Sequence, residues 1–279
     1  MRQKYGGKTM KKRLDLVLLE QGLFPSREKA RTAIMTGRIL VAGKKEIKAG
    51  TQVASDAVID VTGQDLLYVS RGGLKLEKAV REFSLDLKGK AVLDIGASTG
   101  GFTHCSLLNG AKKVFAVDVG YGQLAWELRQ DDRVVVLEKV NARYLRHDQI
   151  GENVDMITID ASFISLTKLI PPLLSFLKED GCFIVLIKPQ FEAGREKVGK
   201  KGVVRDKETH LSVIRSIVSF CREHNLFCQA LTYSPIRGPE GNIEYLALLK
   251  KETYIFKEDT IEAVVEDAFS HFSKVRENK

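Results

Sequence analysis

Two rhythms of apolar and polar positions run along the chain. In the first 62 residues the apolar positions are sparse and the elements short. Leu14, Val17 and Leu18 stand at i, i+3 and i+4, which predicts a short amphipathic helix that Gly22 stops. Pro25-Ser26 opens a second helix with Ser26 as its N-cap, Ala30, Ala33 and Ile34 along its inner face and Gly37 at its end. Arg27 and Arg31, four apart, share another face of it. Residues 39–41 read as a strand, 42–44 as a turn and 58–61 as the returning strand. A unit of this size is small but feasible as a domain.

Farther on, the rhythm becomes one of apolar runs separated by helical stretches. Strands are predicted over 91–97, 113–119, 134–140, 154–160, 181–187, 227–233 and 245–249, and helices near 102–109, 123–129, 166–178 and 207–224. This alternation predicts an α/β fold with a mostly parallel seven-stranded sheet, which binds ligands at the carboxyl ends of its strands. Residues 234–244 offer no helix, so the last strand is expected to run antiparallel. A helix over 260–275 closes the chain, and no internal repeat is visible. The expected organisation is a small α+β domain at 10–62, a linker at 63–74 and the α/β domain at 75–279. Residues 1–9 read as a ragged extension, with Met10 as an alternative start.

Composition narrows the picture. Hydrophobic residues make up 44% and charged residues 29% of the 279, the mix of a globular protein with a real core. The longest apolar run, 182–187, falls far short of the ~18 residues of a membrane span. No secretory signal is legible, and the four cysteines, Cys105, Cys182, Cys221 and Cys228, form no C-x-x-C pair. A reducing, cytoplasmic setting without a zinc site is expected. Charge then separates the two regions. The net charge is +8, and residues 1–62 carry 13 Lys/Arg against 6 Asp/Glu. Nearly all of the excess therefore lies in the first domain, which argues for a polyanionic partner, nucleic acid before membrane.

The run Ser26-Arg27-x-x-Ala30-x-x-x-Ile34-x-x-Gly37-Arg38-Ile39-x-Val41-x-Gly43 resembles the small S-four RNA-binding fold. The resemblance implies that Arg27, Lys29, Arg31, Arg38 and Lys44 press on RNA phosphates, contacts that position the protein without reading sequence.

The first turn of the α/β domain is Asp94-Ile95-Gly96-Ala97-Ser98-Thr99-Gly100-Gly101-Phe102, which is not G-x-G-x-x-G. It is similar to the S-adenosylmethionine turn of class I methyltransferases. Glycines there let backbone approach a ligand. Asp94 either orders the turn or meets the ligand's ammonium. Asp118, at the end of the second strand, is suited to the ribose hydroxyls, and Asn141, past the third, to the adenine edge. The candidate cofactor residues are thus Asp94, Gly96, Ala97, Ser98, Gly100, Gly101, Phe102, Asp118 and Asn141.

Four further polar residues stand near the same rim: Lys75 before the first strand, Asp160 after the fourth, Lys188 after the fifth and Glu244 opening the last. They resemble the K-D-K-E set of FtsJ-like ribose 2′-O-methyltransferases. With the basic first domain and the phrase Asp118-Val119-Gly120-Tyr121-Gly122-Gln123-Leu124, the chain is similar to the narrower TlyA family, often labelled haemolysin, over about residues 11–270. Thr99 departs from the broader pattern, where proline is usual. The resemblance implies S-adenosylmethionine-dependent 2′-O-methylation of cytidine ribose in ribosomal RNA, 16S and/or 23S, with ribosomal RNA or subunits as partner; a monomer is expected.

A ribose hydroxyl becomes a good nucleophile only when its proton is withdrawn. A lysine can accept that proton if its pKa falls from ~10.4 toward ~7–8. Burial and a neighbouring ammonium both push it down. Lys188 is the expected base, with Lys75 lowering that pKa or stabilising the alkoxide, and Asp160 and Glu244 orienting the lysines. No metal is required. His104 and His147 are read as surface residues. The segment 192–206 is either a lid that grips RNA or a solvated loop. Asp160-Ala161-Ser162-Phe163 is not the Asn/Asp-Pro-Pro-aromatic turn of adenine amino methylation, and no cysteine follows a proline as cytosine C5 methylation needs. Two rivals remain: a membrane-active haemolysin, against which stand the missing span and signal, and an RNA-binding assembly factor without catalysis.

Overall fold

The computed structural model describes residues 11–35, 37–62 and 67–277, with backbone alone at 200 and 274–277. The extension 1–9, Met10 and residues 63–66 of the predicted linker lie outside the described residues. The chain forms two compact units, Met1–Ser70 and Arg71–Lys279.

In the first unit, β1 (Lys11–Arg13) leads into α1 (Leu14–Glu20) and α2 (Arg27–Met35), followed by β2 (Ile39–Val41), β3 (Lys44–Glu46), β4 (Gln52–Ala54) and β5 (Ile59–Val61). The inward faces of both helices meet Ile39 and Val53, and Leu14, Val17, Leu18, Ala30, Ala33 and Ile34 are almost wholly buried. Ser26 caps α2 as expected, its hydroxyl accepting the Lys29 N–H at 3.2 Å. The hairpin differs from expectation. Ala42 and Gly43 both have positive φ and turn β2 directly into β3, so that β2 is central in the order β3-β2-β5. Lys44 opens that strand instead of closing the turn. A Lys-Lys-Glu strand carries no apolar alternation, and the pairing of β1 with β4 likewise has no periodic signal.

In the second unit, seven strands lie in the order β11-β12-β10-β9-β6-β7-β8. They are β6 (Ala91–Ile95), β7 (Lys113–Asp118), β8 (Val134–Glu138), β9 (Val154–Ile159), β10 (Leu177–Ile187), β11 (Phe227–Tyr233) and β12 (Tyr245–Lys250). β6 through β10 pair in parallel, and β12 runs antiparallel to both β10 and β11, as expected of the last strand. The interior strand β6 is buried along its whole length, its four apolar residues and Asp94 alike.

The helices are α3 (Gly73–Glu82), α4 (Gly101–Leu108), α5 (Trp126–Arg129), α6 (His147–Ile150), α7 (Ile170–Leu173), α8 (Pro189–Glu192), α9 (Lys207–Glu223) and α10 (Glu258–Glu277). α3 starts inside the predicted linker, where no helix is expected. Its core-facing Leu76 and Ala79 repeat at i and i+3 and are fully buried. The helix predicted over 166–178 is interrupted. Pro171-Pro172 can start a helical turn but not continue one, so α7 is flanked by 3₁₀ turns and β10 begins already at Leu177.

Candidate active site

The antiparallel direction of β12 builds the site. Ile187 at the end of β10 is in register with Tyr245 at the start of β12, so the next residue on one strand, Lys188, and the preceding one on the other, Glu244, come to the same sheet edge. β9 ends beside β10 and delivers Asp160 there, its N–H bonded to Ile95 O at 3.0 Å. α3 supplies Lys75 from its first turn.

These four side chains, far apart in sequence, form one chain of ion pairs. Lys75 Nζ donates to Glu244 Oε2 at 2.7 Å and lies 3.6 Å from Asp160 Oδ2. Lys188 Nζ lies 2.6 Å from Asp160 Oδ1 and donates to Ser162 Oγ at 3.1 Å. One carboxylate thus stands between two lysines, each less than a tenth exposed, and Glu244 is still more deeply buried. Burial pushes the Lys75 ammonium down, but the facing charges of Asp160 and Glu244 outweigh it and hold the group above the ordinary lysine value. A Lys75 held as an ammonium agrees with its expected part as the positive charge beside the base.

The glycine turn lies one strand over. Gly96 and Gly100 have positive φ, and a Cβ on Gly96 would come within 2.9 Å of Asp160 O. The turn therefore rests directly on the backbone that carries Asp160, with Gly100 as N-cap of α4, Gly101 and Phe102 opening the helix and Ala97 nearly buried. Asp94 has no exposed surface. Thr103 Oγ1 donates to its Oδ2 at 2.7 Å and Thr158 Oγ1 to its Oδ1 at 2.8 Å. Of its two expected roles the geometry is that of ordering the turn, since the carboxylate ties β6, α4 and β9 together. Burial drives its pKa up to about 6, against the pull of the two hydroxyls.

Asp118 accepts the N–H of Ser98 at 2.8 Å on Oδ2 and that of Gly120 at 2.7 Å on Oδ1. A carboxylate has about four acceptor positions, so two remain for vicinal hydroxyls. Asn141 is exposed and its Oδ1 caps the turn after β8 by accepting the Arg143 N–H at 3.0 Å. The glycine floor, the aligned Asp118 and the adjoining ion-pair cluster fit S-adenosylmethionine.

Among the other candidates, His147 is exposed and stacks on Phe176, whereas His104 is half-buried and burial lowers its pKa, so it is less of a surface residue than expected. All four cysteines are buried and reduced. The segment 192–206 is anchored at both ends: Glu192 accepts the Leu166 N–H and the Ser165 hydroxyl, and Asp206 caps α9. In the first unit Lys29, Arg31 and Lys44 are exposed, and Arg38 donates to Thr62 O. Arg27 and Arg13 both bond the fully buried Asp15 while keeping nearly half of their own surface. Ser162, Thr103 and Thr158 are not legible in the sequence, because a lone hydroxyl beside a strand end has no spacing signature.

Residues 68–251 match the family described as FtsJ-like methyltransferase, and residues 12–59 match the S4 domain. YqxC of Bacillus subtilis is 48% identical over 264 residues, covering 92% of this chain and 94% of its own. The 16S/23S rRNA (cytidine-2'-O)-methyltransferase TlyA of Mycobacterium tuberculosis is 41% identical over 242 residues, covering 86% of this chain and 90% of its own. A solved structure from Streptococcus thermophilus that bears the hemolysin name has a TM-score of 0.77 at 42% identity, over 96% of this chain and 99% of that one. No helix among the described residues is long and apolar enough to cross a membrane.

Proposed function

The chain belongs to the FtsJ-like methyltransferase family, and from that membership we propose that it methylates the ribose 2′-hydroxyl of cytidines in 16S and/or 23S ribosomal RNA. The observation that carries this reading is the meeting of Lys75, Asp160, Lys188 and Glu244 beside the glycine turn. S-adenosylmethionine, when bound, supplies an electrophilic methyl group on a sulfonium.

Gly96, Ala97, Ser98, Gly100, Gly101 and Phe102 form the floor beneath it, Asp118 takes its ribose hydroxyls, and Asn141, whose oxygen is spent as a cap, offers its amide nitrogen to the adenine edge. Lys188 removes the proton of the target hydroxyl. Lys75, kept protonated by two carboxylates, is the fixed positive charge next to the oxygen as it becomes anionic. Asp160 holds both lysines, and Glu244 holds Lys75. The main contribution beyond proton removal is placement of oxygen, methyl and sulfur in line.

Residues 10–62 act as the RNA-binding domain through Arg27, Lys29, Arg31, Arg38 and Lys44, joined by 63–74 to the catalytic domain at 75–279. A single chain provides all four residues of the cluster, which supports a monomer as the functional unit, working in the cytoplasm on ribosomal RNA or subunits.

The test is Lys188→Ala. Loss of a general base lowers the rate by about 10²–10⁴-fold, and S-adenosylmethionine affinity, measured by calorimetry, is expected to stay within about twofold, since Lys188 is not on the glycine floor. Turnover within tenfold of the parent on ribosomal subunits would remove Lys188 from the reaction, and an absence of 2′-O-methyl product with the parent protein would remove the activity.

A further inference from the structure

The partners of Lys188 differ in what they can do. The Asp160 carboxylate at 2.6 Å and the Asp160 main-chain oxygen at 3.4 Å only accept hydrogen bonds. Ser162 Oγ, at 3.1 Å, is a hydroxyl, which can accept or donate. An ammonium has three protons, and the three oxygens take one each. Once a proton has gone, two N–H groups and a lone pair remain. Asp160 can then keep the two protons, and Ser162 alone can turn its own proton toward the lone pair.

Solvent access points the same way. Lys188 is buried, while Ser162 is exposed. The serine therefore marks the open side of the nitrogen, from which a substrate has to arrive. Its position is pinned on both sides. Asp160 N–H is bonded to Ile95 O, and the Phe163 ring leans on Phe191, whose own N–H is bonded to Lys188 O at 2.9 Å. Phe163 holds a φ of +63°, a value a non-glycine residue adopts only when its surroundings impose it.

We propose that Ser162 is a positioning residue for methyl transfer: its hydroxyl accepts the third proton of the Lys188 ammonium, reverses to donate to the lone pair of the neutral amine, and so keeps that lone pair aimed at the open side until a ribose 2′-hydroxyl takes its place. This rests on the reading of Lys188 as the base. In the step it prepares, the ribose proton passes to the Nζ lone pair, the oxygen's electron pair forms the new C–O bond, and the C–S bond breaks with its pair left on sulfur, which becomes a neutral thioether. Lys188 leaves the step as an ammonium, and Ser162 can again accept from it.

The experiment compares Ser162→Ala and Ser162→Thr in the full chain, with Lys188→Ala as reference, in methylation of ribosomal subunits over a range of subunit concentration. Ser162→Ala is expected to lower the maximal rate about tenfold, with subunit KM and S-adenosylmethionine affinity within twofold. Ser162→Thr, which keeps the hydroxyl, is expected to restore most of the rate. A loss that threonine does not rescue, or one carried by KM rather than by the maximal rate, would overturn the proposal and leave Ser162 as a spacer. Activity retained in Lys188→Ala would instead overturn the reading beneath it.

Discussion

Asp94 is a carboxylate placed where no water reaches it, with two threonine hydroxyls in place of a hydration shell. Its pKa of about 6 gives that placement a thermodynamic sign. The folded form holds the Asp94 proton more tightly than the unfolded chain does. Stability from this group is therefore greatest below about pH 4 and is lost as pH rises through about 6. The loss is on the order of 3 kcal/mol at most. Asp94→Asn, which has the same shape without the charge, is expected to be no less stable than the parent in urea unfolding at pH 7.5 and to lose ground relative to it at pH 5. S-adenosylmethionine affinity should change by less than about threefold, since a side chain without exposed surface cannot touch the ligand. A tenfold loss would restore the ammonium-binding role. Lys75 teaches the complementary lesson: burial lowers a lysine only until charged partners outweigh it.

Between elements, the Lys75–Glu244 pair fastens the first turn of α3 to the start of β12. Breaking a buried pair by removing one member typically costs about 3–5 kcal/mol, whereas replacing both by apolar groups is often neutral. Lys75→Met should therefore lower unfolding stability by that order, and Lys75→Met/Glu244→Leu should recover more than half of the loss while remaining without methyltransferase activity. Equal stability of the single and double variants would show that the pair does not couple helix to strand. The same scale explains what the sequence hides. The strands of the large sheet are legible because each is an apolar run, and the antiparallel β12 because no crossover helix precedes it. α3 is hidden by the glycines at 72 and 73 and by charged residues between its apolar ones, although Leu76 and Ala79 carry the helical spacing. β3 is hidden because its residues are charged, and only hydrogen bonds to β2 make it a strand.

At the scale of the whole molecule, the separation of charge follows the two compact units: the first, residues 1–70, holds 13 Lys/Arg against 7 Asp/Glu, +6 of the net +8. Every phosphate that a substitution leaves without its cationic partner should reduce the slope of log affinity against log salt by about 0.7–0.9. Lys29→Gln/Arg31→Gln, on exposed side chains of α2, is expected to flatten the slope for ribosomal RNA binding by about 1.5 and to leave S-adenosylmethionine binding intact. An unchanged slope would remove both residues from the RNA interface.

By itself the sequence determined the elements with strong periodicity, the charge asymmetry and the glycine turn, because these depend on composition and on neighbours within a few positions; the four residues of the cluster were singled out by a family resemblance and by their places at strand ends. Tertiary structure alone decided that one carboxylate stands between two lysines, that Asp94 faces inward, that Arg27 answers to Asp15, and that a serine hydroxyl touches the buried amine. Those facts depend on which strand ends share an edge and on which groups are shut off from water, and both are properties of the folded packing, set by contacts between residues distant in the chain.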